Sequence, residues 1–486
     1  MPDNLNVLFL ASEAEPFIKV GGLADVAGSL PRFLRTLPPE ITLGTIPDVR
    51  LVLPMHSVIQ SDRHGLRPLL VFSVLHKSEP IAVQAFSTEL EGMPVYLLSA
   101  EPIARSGSVY SSDSAQDGEK FALFSLAALE LARRLDWRVN IIHANDWHTA
   151  LACYALLLRR REGEYAGVAT VLTVHNLPFM GPEVSSLLGS YALTQVQTGL
   201  PVWASTRPLP LGLWAADAIV AVSPSYAREM QTTEFGCGLD DYLRARRDSL
   251  YGILNGIDTD SFNPALDPAI GANYGAPTLE RRSPNKAALQ VRLGLPVNQD
   301  VALFGIVSRL DPQKGVDLVA PALRRLRDLD WQLVVLGTGM PRLERALKRL
   351  EQEFQGRIRV DIRYDAGLAR QIYAGADALL MPSRYEPCGL AQMIAMRYGC
   401  LPIVSAVGGL RDTVVDGETG FVIGAPTAAR LASGLKRSMR LLADKLQWVK
   451  MQQAAMTQDF SWAASARKYF ELYQRLVAQA APNRVS

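Results

Sequence analysis

Residues 6–26, NVLFLASEAEPFIKVGGLADV, run from an apolar stretch through an acidic, proline-marked loop to a lysine, two adjacent glycines and the start of a helical pattern. A short apolar run of this kind fits a strand buried on both faces, and a helix directly after it opens a β-α-β unit. Glycine lets backbone approach a ligand closely and a helix N-terminus attracts anions. With the charge of Lys19 beside Gly21 and Gly22, the loop points to a negatively charged ligand without naming it. The stretch lacks GxGxxG and the GK[ST] ending of a P-loop, so neither a dinucleotide nor a P-loop reading follows. Taken alone, the glycine pair reads first as a tight strand-to-helix turn beside a solvated lysine.

Outward from this stretch the same alternation continues. Strands are expected at VRLVLP (49–54), VYLLSA (95–100), NIIHAN (140–145), VATVLTVH (168–175) and AIVAVS (218–223), with helical patterns such as EKFALFSLAALELARRL between them. The alternation restarts near residue 300 with VALFGIVS, WQLVVLG, RIRVDIRY, ADALLMPS and LPIVSAV. The fold class is therefore α/β, with two doubly wound parallel sheets. A Pro-, Asn- and Gly-rich crossing, NGIDTDSFNPALDPAIGANYGAP, places the boundary near residues 255–265. The expected domains are 1–258, 259–460 and a final helical segment, 461–486.

With 486 residues, 48% hydrophobic and 20% charged, the chain can bury more than one core without staples. Its 50 basic and 48 acidic side chains nearly cancel, so no global field favours nucleic acid or an anionic membrane. Four cysteines without CxxC spacing argue against a disulfide framework or structural zinc, which fits a reducing cytoplasm. No leader pattern and no apolar run of about 18 residues is present, so secretion and membrane spanning are not expected.

Ligands of open parallel sheets bind beyond the carboxyl ends of strands, and the polar clusters of this sequence fall there. HANDWHTAL (143–151) carries Asp146 between two histidines, without a third ligand at metal spacing, and TVHNLPFMG (173–181) carries His175 and Asn176. In SRLDPQKGVDL (308–318), Arg309 and Lys314 flank a proline-marked turn and can converge on one diphosphate. In MPSRYEPCGLAQ (381–392), Glu386 precedes a glycine that opens a helix. A carboxylate beside an anion site is costly, so Glu386 is expected to face a cation or hydroxyl groups.

Together with RSGSVY (105–110), AVSPSYAREM, EFGCGLD (234–240), GILNGID (252–258), GGLRDTV (408–414) and DFSW (459–462), these motifs resemble the bacterial glycogen synthase and plant starch synthase family. The resemblance runs from residue 6 to about 475. It implies the GT-B architecture, two Rossmann-like domains facing each other across a deep cleft, with the final helix returning to the first domain. It also implies retaining transfer of glucose from a nucleoside diphosphate sugar, usually ADP-glucose, to the 4-hydroxyl at the non-reducing end of an α-1,4-glucan.

The resemblance assigns Lys19, with the backbone of Gly21 and Gly22, to the donor side of the first domain. Arg309 and Lys314 grip the diphosphate, and Glu386 lies near the donor glucose, followed along the phosphates by Cys388, Gly389 and Leu390. His175 and Asn176 flank the glucosyl unit, Asp146 and Tyr110 serve the glucose and acceptor side, and Asn255 and Gln313 complete the set. Because Glu386 has no second carboxylate in its motif, front-face substitution is expected over a covalent intermediate between paired carboxylates about 5 Å apart.

No metal or other cofactor is expected, since Arg309 and Lys314 supply the charge a divalent ion would bring. DTD at 258–260 reads as a turn in the crossing. The motifs do not read the nucleotide base, so UDP-glucose stays open beside ADP-glucose. An inactive glucan-binding relative would be marked by loss of Arg309, Lys314 or Glu386, and all three are present. Val20 stands where threonine is commoner in the family, and Lys120 where arginine is frequent. Oligomeric state is not readable from these patterns.

Overall fold

The computed structural model describes residues 4–480, and among them fifteen strands form two sheets. The first contains β1 (Asn4–Leu10), β2 (Ile46–Pro54), β3 (Arg67–His76), β4 (Glu79–Leu90), β5 (Met93–Ser99), β6 (Ile141–Asn145), β7 (Ala169–Val174), β8 (Ala218–Ala221) and β9 (Leu250–Gly252). Its order is β3-β4-β5-β2-β1-β6-β7-β8-β9. The second contains β10 (Ala302–Val307), β11 (Trp331–Leu336), β12 (Ile358–Asp361), β13 (Ala378–Met381), β14 (Leu401–Val404) and β15 (Phe421–Val422), in the order β12-β11-β10-β13-β14-β15. The chain divides into one unit of Met1–Gly256 with Trp462–Ser486, and another of Ile257–Ser461.

The central strands are buried on both faces, as an apolar run sandwiched between helix layers must be: every residue of β6, β7, β8, β11, β13 and β14 is buried. The helix Pro341–Glu353 shows the complementary pattern, burying Leu343, Leu347 and Leu350 along one stripe and leaving its charged side chains outside.

One expectation needs correction. The first sheet is not wholly parallel, because β3, β4 and β5 form an antiparallel meander. Its first turn is Lys77-Ser78, with φ of +50° and +67°, and its second is Glu91-Gly92, at +48° and +77°. Two left-handed residues match the type I′ geometry of a two-residue hairpin, but neither turn carries the Asn-Gly or Asp-Gly signal that would announce it in sequence. Strand β3 also exposes Val71 and Leu75, which blurs its alternation.

The final helix, Trp462–Ala480, belongs to the first unit. Trp462, Tyr469, Phe470, Tyr473 and Val477 join the core cluster that includes Val7, Phe9 and Val26. His143 ties this helix to the sheet, its Nδ1 sharing a hydrogen bond with the Tyr473 hydroxyl and its Nε2 one with Thr173 Oγ1 at 2.7 Å. Burial pushes the His143 pKa well below the ordinary histidine value, so this histidine is a neutral core residue.

In both sheets the strand order reverses beside the first strand of the unit, between β1 and β6 and between β10 and β13. These reversals leave a crevice beyond the carboxyl ends of the flanking strands, the usual ligand position in open α/β sheets. The loop after β1 carries Lys19, the helix start after β6 carries Asp146, and the loops after β10 and β13 carry Lys314 and Glu386. No helix among the described residues is long and apolar enough to cross a membrane.

Candidate active site

At the reversal of the first sheet, β6 ends in Asn145 and Asp146 begins the helix Asp146–Arg161 with φ of +53°. A left-handed non-glycine residue is uncommon, although Asp tolerates it better than most, and such strain is kept where surrounding contacts enforce it. Here the Asp146 Oδ1 accepts hydrogen bonds from the backbone N–H groups of His175 at 2.7 Å and Asn176 at 3.3 Å. The ends of β6 and β7 are thereby locked together. Asn145 completes the lock, donating from Nδ2 to the Leu10 carbonyl at 2.9 Å and accepting at Oδ1 from His175 Nε2 at 2.9 Å. That acceptor puts the His175 proton on Nε2 and leaves Nδ1 with its lone pair. Burial lowers the His175 pKa to about 3, so the ring is neutral at physiological pH. The Asn176 Oδ1 is buried and accepts no hydrogen bond from a described residue.

Burial raises the Asp146 pKa to about 7, against the two amides that favour its anion, with the charge of Glu13 adding to the rise. A raised carboxyl value means that the folded state holds the proton more tightly, so this contribution to stability is lost as pH climbs from about 4 through about 7. Asp146→Asn keeps the shape and removes the titration. Relative to wild type, its apparent melting temperature should rise by several degrees between about pH 5 and about pH 8. A pH-independent difference in a thermal-shift series would contradict the assignment.

The KVGG loop differs from the anion nest expected of it. The Glu13 Oε2 already accepts from the backbone N–H of Val20 and, at 2.9 Å, from that of Gly21. Lys19 is also compensated, pairing with Glu15 at 2.7 Å and Asp25 at 2.6 Å. Gly21 is the extended residue before the helix Gly22–Arg35, and a Cβ on Gly22 would meet nothing within 4 Å, so no packing in the unit demands that glycine. Tyr110 lies against the same loop, its hydroxyl donating to Glu13 Oε1 at 3.1 Å and lying 3.0 Å from Ser12 Oγ. Lys120 is fully buried beneath it, donating to the Val109 carbonyl at 2.7 Å and paired with Asp117 at 2.8 Å, so it supports the Tyr110 segment from inside.

His148 is packed among aromatic rings. Its ring lies 4.9 Å from Tyr110, 4.7 Å from Phe121 and 4.2 Å from Trp147, and burial drives its pKa well below the ordinary value. No group of three or more potential ligands able to hold a metal occurs among the described residues. Asp258 takes the N–H groups of Asp260 and Ser261, both at 3.0 Å, which makes the DTD segment a turn. Asn255 follows β9, at the far edge of the sheet from β3, and its buried Oδ1 accepts no hydrogen bond from a described residue.

The second reversal is built from two loops pinned to each other. Gln313 accepts the Arg384 N–H at 2.8 Å and donates its side chain to the Tyr385 carbonyl at 3.1 Å, while Arg384 makes a bidentate pair with Asp317 at 2.7 Å. This frame brings Lys314 Nζ to 2.8 and 2.7 Å from the two Glu386 oxygens, and Ser383 Oγ donates to one of them at 3.0 Å. The expected cationic neighbour of Glu386 is therefore Lys314 itself. Arg309 stays exposed, with Asp311 at 3.3 Å. Gly389 turns the chain at φ +72°, Leu390 precedes the helix Ala391–Arg397, and a Cβ on Gly409 would stand 2.1 Å from the Cys388 carbonyl, so the segment from Cys388 is packed tightly onto the start of the helix Gly408–Thr413.

Two contributors escaped the sequence reading. Glu13 lies in the loop beyond the carboxyl end of β1, but in sequence its context, SEAEP, reads only as a generic acidic loop. The Gly337-Thr338-Gly339 turn after β11 lies against Ser308–Leu310, with Leu310 N–H bonded to the Thr338 carbonyl at 2.8 Å. Its two glycines frame a short polar turn, a signal too common to stand out.

Residues 6–245 match the starch synthase catalytic domain, and residues 291–455 match the glycosyl transferases group 1 domain. The glycogen synthase of Thermotoga maritima is 38% identical, over 98% of this chain and 99% of its own. This chain belongs to the glycogen and starch synthase family. The glycogen synthase of Streptococcus sanguinis is 39% identical over 97% of this chain and 100% of its own. Among solved structures, the catalytic domain of starch synthase IV from Arabidopsis thaliana, bound to ADP and acarbose, matches with a TM-score of 0.88 and 33% identity over 98% of this chain and 100% of that one. Sucrose-phosphate synthase from Thermosynechococcus elongatus, at 19% identity and a TM-score of 0.60 over 98% of this chain and 100% of that one, shares the fold. As a member of the glycogen and starch synthases, the chain is a glucosyltransferase with the two Rossmann-like sheets of the GT-B class.

Proposed function

We propose that this synthase transfers glucose from ADP-glucose to the 4-hydroxyl at the non-reducing end of an α-1,4-glucan, with retention, in the cytoplasm and without a metal or other cofactor. The observation that carries the reading is the Lys314–Glu386 pair at the reversal between β10 and β13. The ADP bound to the Arabidopsis relative supports a nucleoside diphosphate as the ligand class.

In this reading Arg309 and Lys314 take the diphosphate. As the glycosidic C–O bond breaks, negative charge grows on the leaving phosphate, and preplaced cations stabilise it more in the transition state than before. Lys314 exchanges Glu386 for phosphate, which releases the Glu386 carboxylate toward the sugar hydroxyls and the cationic ring. Gln313, Cys388, Gly389 and Leu390 line the phosphate path.

On the first unit, the buried Asn176 Oδ1, which takes no hydrogen bond from a described residue, accepts a sugar hydroxyl, and Asp146 holds His175 and Asn176 in register for it. Tyr110 serves the glucose and acceptor side, and Asn255 is a further substrate contact. Lys19 reaches the donor only by leaving Glu15 and Asp25. With Glu386 as the one carboxylate of its motif, the departing phosphate takes the acceptor proton on the same face.

The test is a panel of radiolabelled ADP-, UDP- and GDP-glucose with a malto-oligosaccharide, run with and without excess EDTA. Label should enter α-1,4-glucan from ADP-glucose at an EDTA-insensitive rate. No transfer from any donor overturns the reading, preference for UDP-glucose replaces the donor, and loss of rate in EDTA overturns the metal-free part.

A further inference from the structure

Glu13 is a buried ionisable group at the first reversal to which the proposed reaction gives no role. It is 2% exposed and lies in the loop that follows β1, beyond Ala11 and Ser12. One carboxylate oxygen takes the N–H groups of Val20 and Gly21, and the other takes the Tyr110 hydroxyl. The partners lie seven, eight and 97 positions away in sequence, so a single carboxylate joins the start of the helix Gly22–Arg35 to a distant loop. Ser12 repeats the link, its Oγ 3.0 Å from the Tyr110 hydroxyl and its carbonyl 2.8 Å from His56 Nε2.

We infer that Glu13 is a positioning residue for glucosyl transfer, one carboxylate that sets the Lys19–Gly22 turn and the Tyr110 hydroxyl as a single rigid piece. The inference rests on the function proposed above. Two loops held by one group share one geometry, and a misplacement of about 1 Å in a positioning element costs on the order of 100-fold in rate. Glutamine can reproduce the arrangement: its Oε1 accepts from both amides and its Nε2 donates to the Tyr110 oxygen, whose own proton then goes to Ser12. Alanine leaves two amides without their acceptor and the Tyr110 hydroxyl held by Ser12 alone.

The experiment is a cycle of Glu13→Ala, Glu13→Gln, Tyr110→Phe and Glu13→Ala/Tyr110→Phe. It reads kcat and the KM of donor and oligosaccharide, normalised to folded protein by circular dichroism and thermal melts. Glu13→Ala should lower kcat about 100-fold, and Glu13→Gln should return to within about tenfold of wild type. Tyr110→Phe should cost much less in the Glu13→Ala background than alone, because the hydroxyl has already lost its Glu13 anchor. Wild-type kinetics for folded Glu13→Ala, or Glu13→Ala and Tyr110→Phe losses that multiply independently, overturn the inference. If Glu13→Ala does not fold, Glu13→Gln and Tyr110→Phe carry the test: a folded Glu13→Gln as inactive as a loop deletion overturns it too. A wild type inactive with every nucleotide sugar would instead sink the proposed function.

Discussion

Lys314→Met should abolish measurable glucosyl transfer and also destabilise the second unit, and the two losses separate in a double variant. Lys314 and Glu386 are largely buried, at 18% and 6% side-chain exposure, and the pair is held at 2.7 Å. Removing one partner of a buried pair leaves an uncompensated charge and costs about 3–5 kcal/mol. Lys314→Met/Glu386→Gln removes that charge and should regain most of the lost stability in urea unfolding, yet remain about 1000-fold or more below wild type in kcat. Glu386→Gln alone should bind ADP more tightly than wild type by calorimetry, since Lys314 no longer has to leave a carboxylate to meet phosphate. A double variant that recovers activity along with stability would show that the pair is only structural. Weaker ADP binding by Glu386→Gln would refute the exchange of partners.

Gly315→Ala should be nearly as damaging without touching a charge. Gly315 sits at φ +66°, and a Cβ there would stand 2.0 Å from the Pro382 carbonyl oxygen, at the contact between the loop that carries Lys314 and the one that carries Glu386. Backbone cannot yield as a flexible side chain does, so the loops must part. The left-handed conformation costs about 1–2 kcal/mol and the overlap about 1–3 more. A shift of about 1 Å between the two loops should lower kcat about 100-fold. Gly417→Ala is the control: it also has a left-handed φ, +78°, but its Cβ would meet nothing within 4 Å. That variant should lose a little stability and keep its rate. Equal losses of rate in both would assign the Gly315 effect to general destabilisation.

These expectations show how unevenly the molecule was legible. Apolar runs such as NVLFLA and WQLVVLG announced buried strands because burial on both faces demands continuous hydrophobicity. The meander β3-β4-β5 escaped because Lys77-Ser78 makes a tight hairpin without glycine or asparagine, and because β3 exposes part of its apolar face. Among the site residues, Lys314, Glu386, Asp146 and His175 were found by their place at strand ends and by family resemblance. Which of them pair with which was not legible. The charge of Lys19 looked available, whereas Glu15 and Asp25 already hold it.

By itself, the sequence determined the α/β class, the restart of the alternation near residue 300 and the strand-end loops in which chemistry could lie, since these depend on local periodicity and turn-forming residues. Only the tertiary structure decided which groups face which. Lys314 and Glu386 are 72 positions apart and Glu13 and Tyr110 are 97 apart. An ionisable group's role depends on the charges and donors within a few ångströms of it. Periodicity along the chain is blind to those distances; the strand order that brings β1 beside β6 and β10 beside β13 sets them.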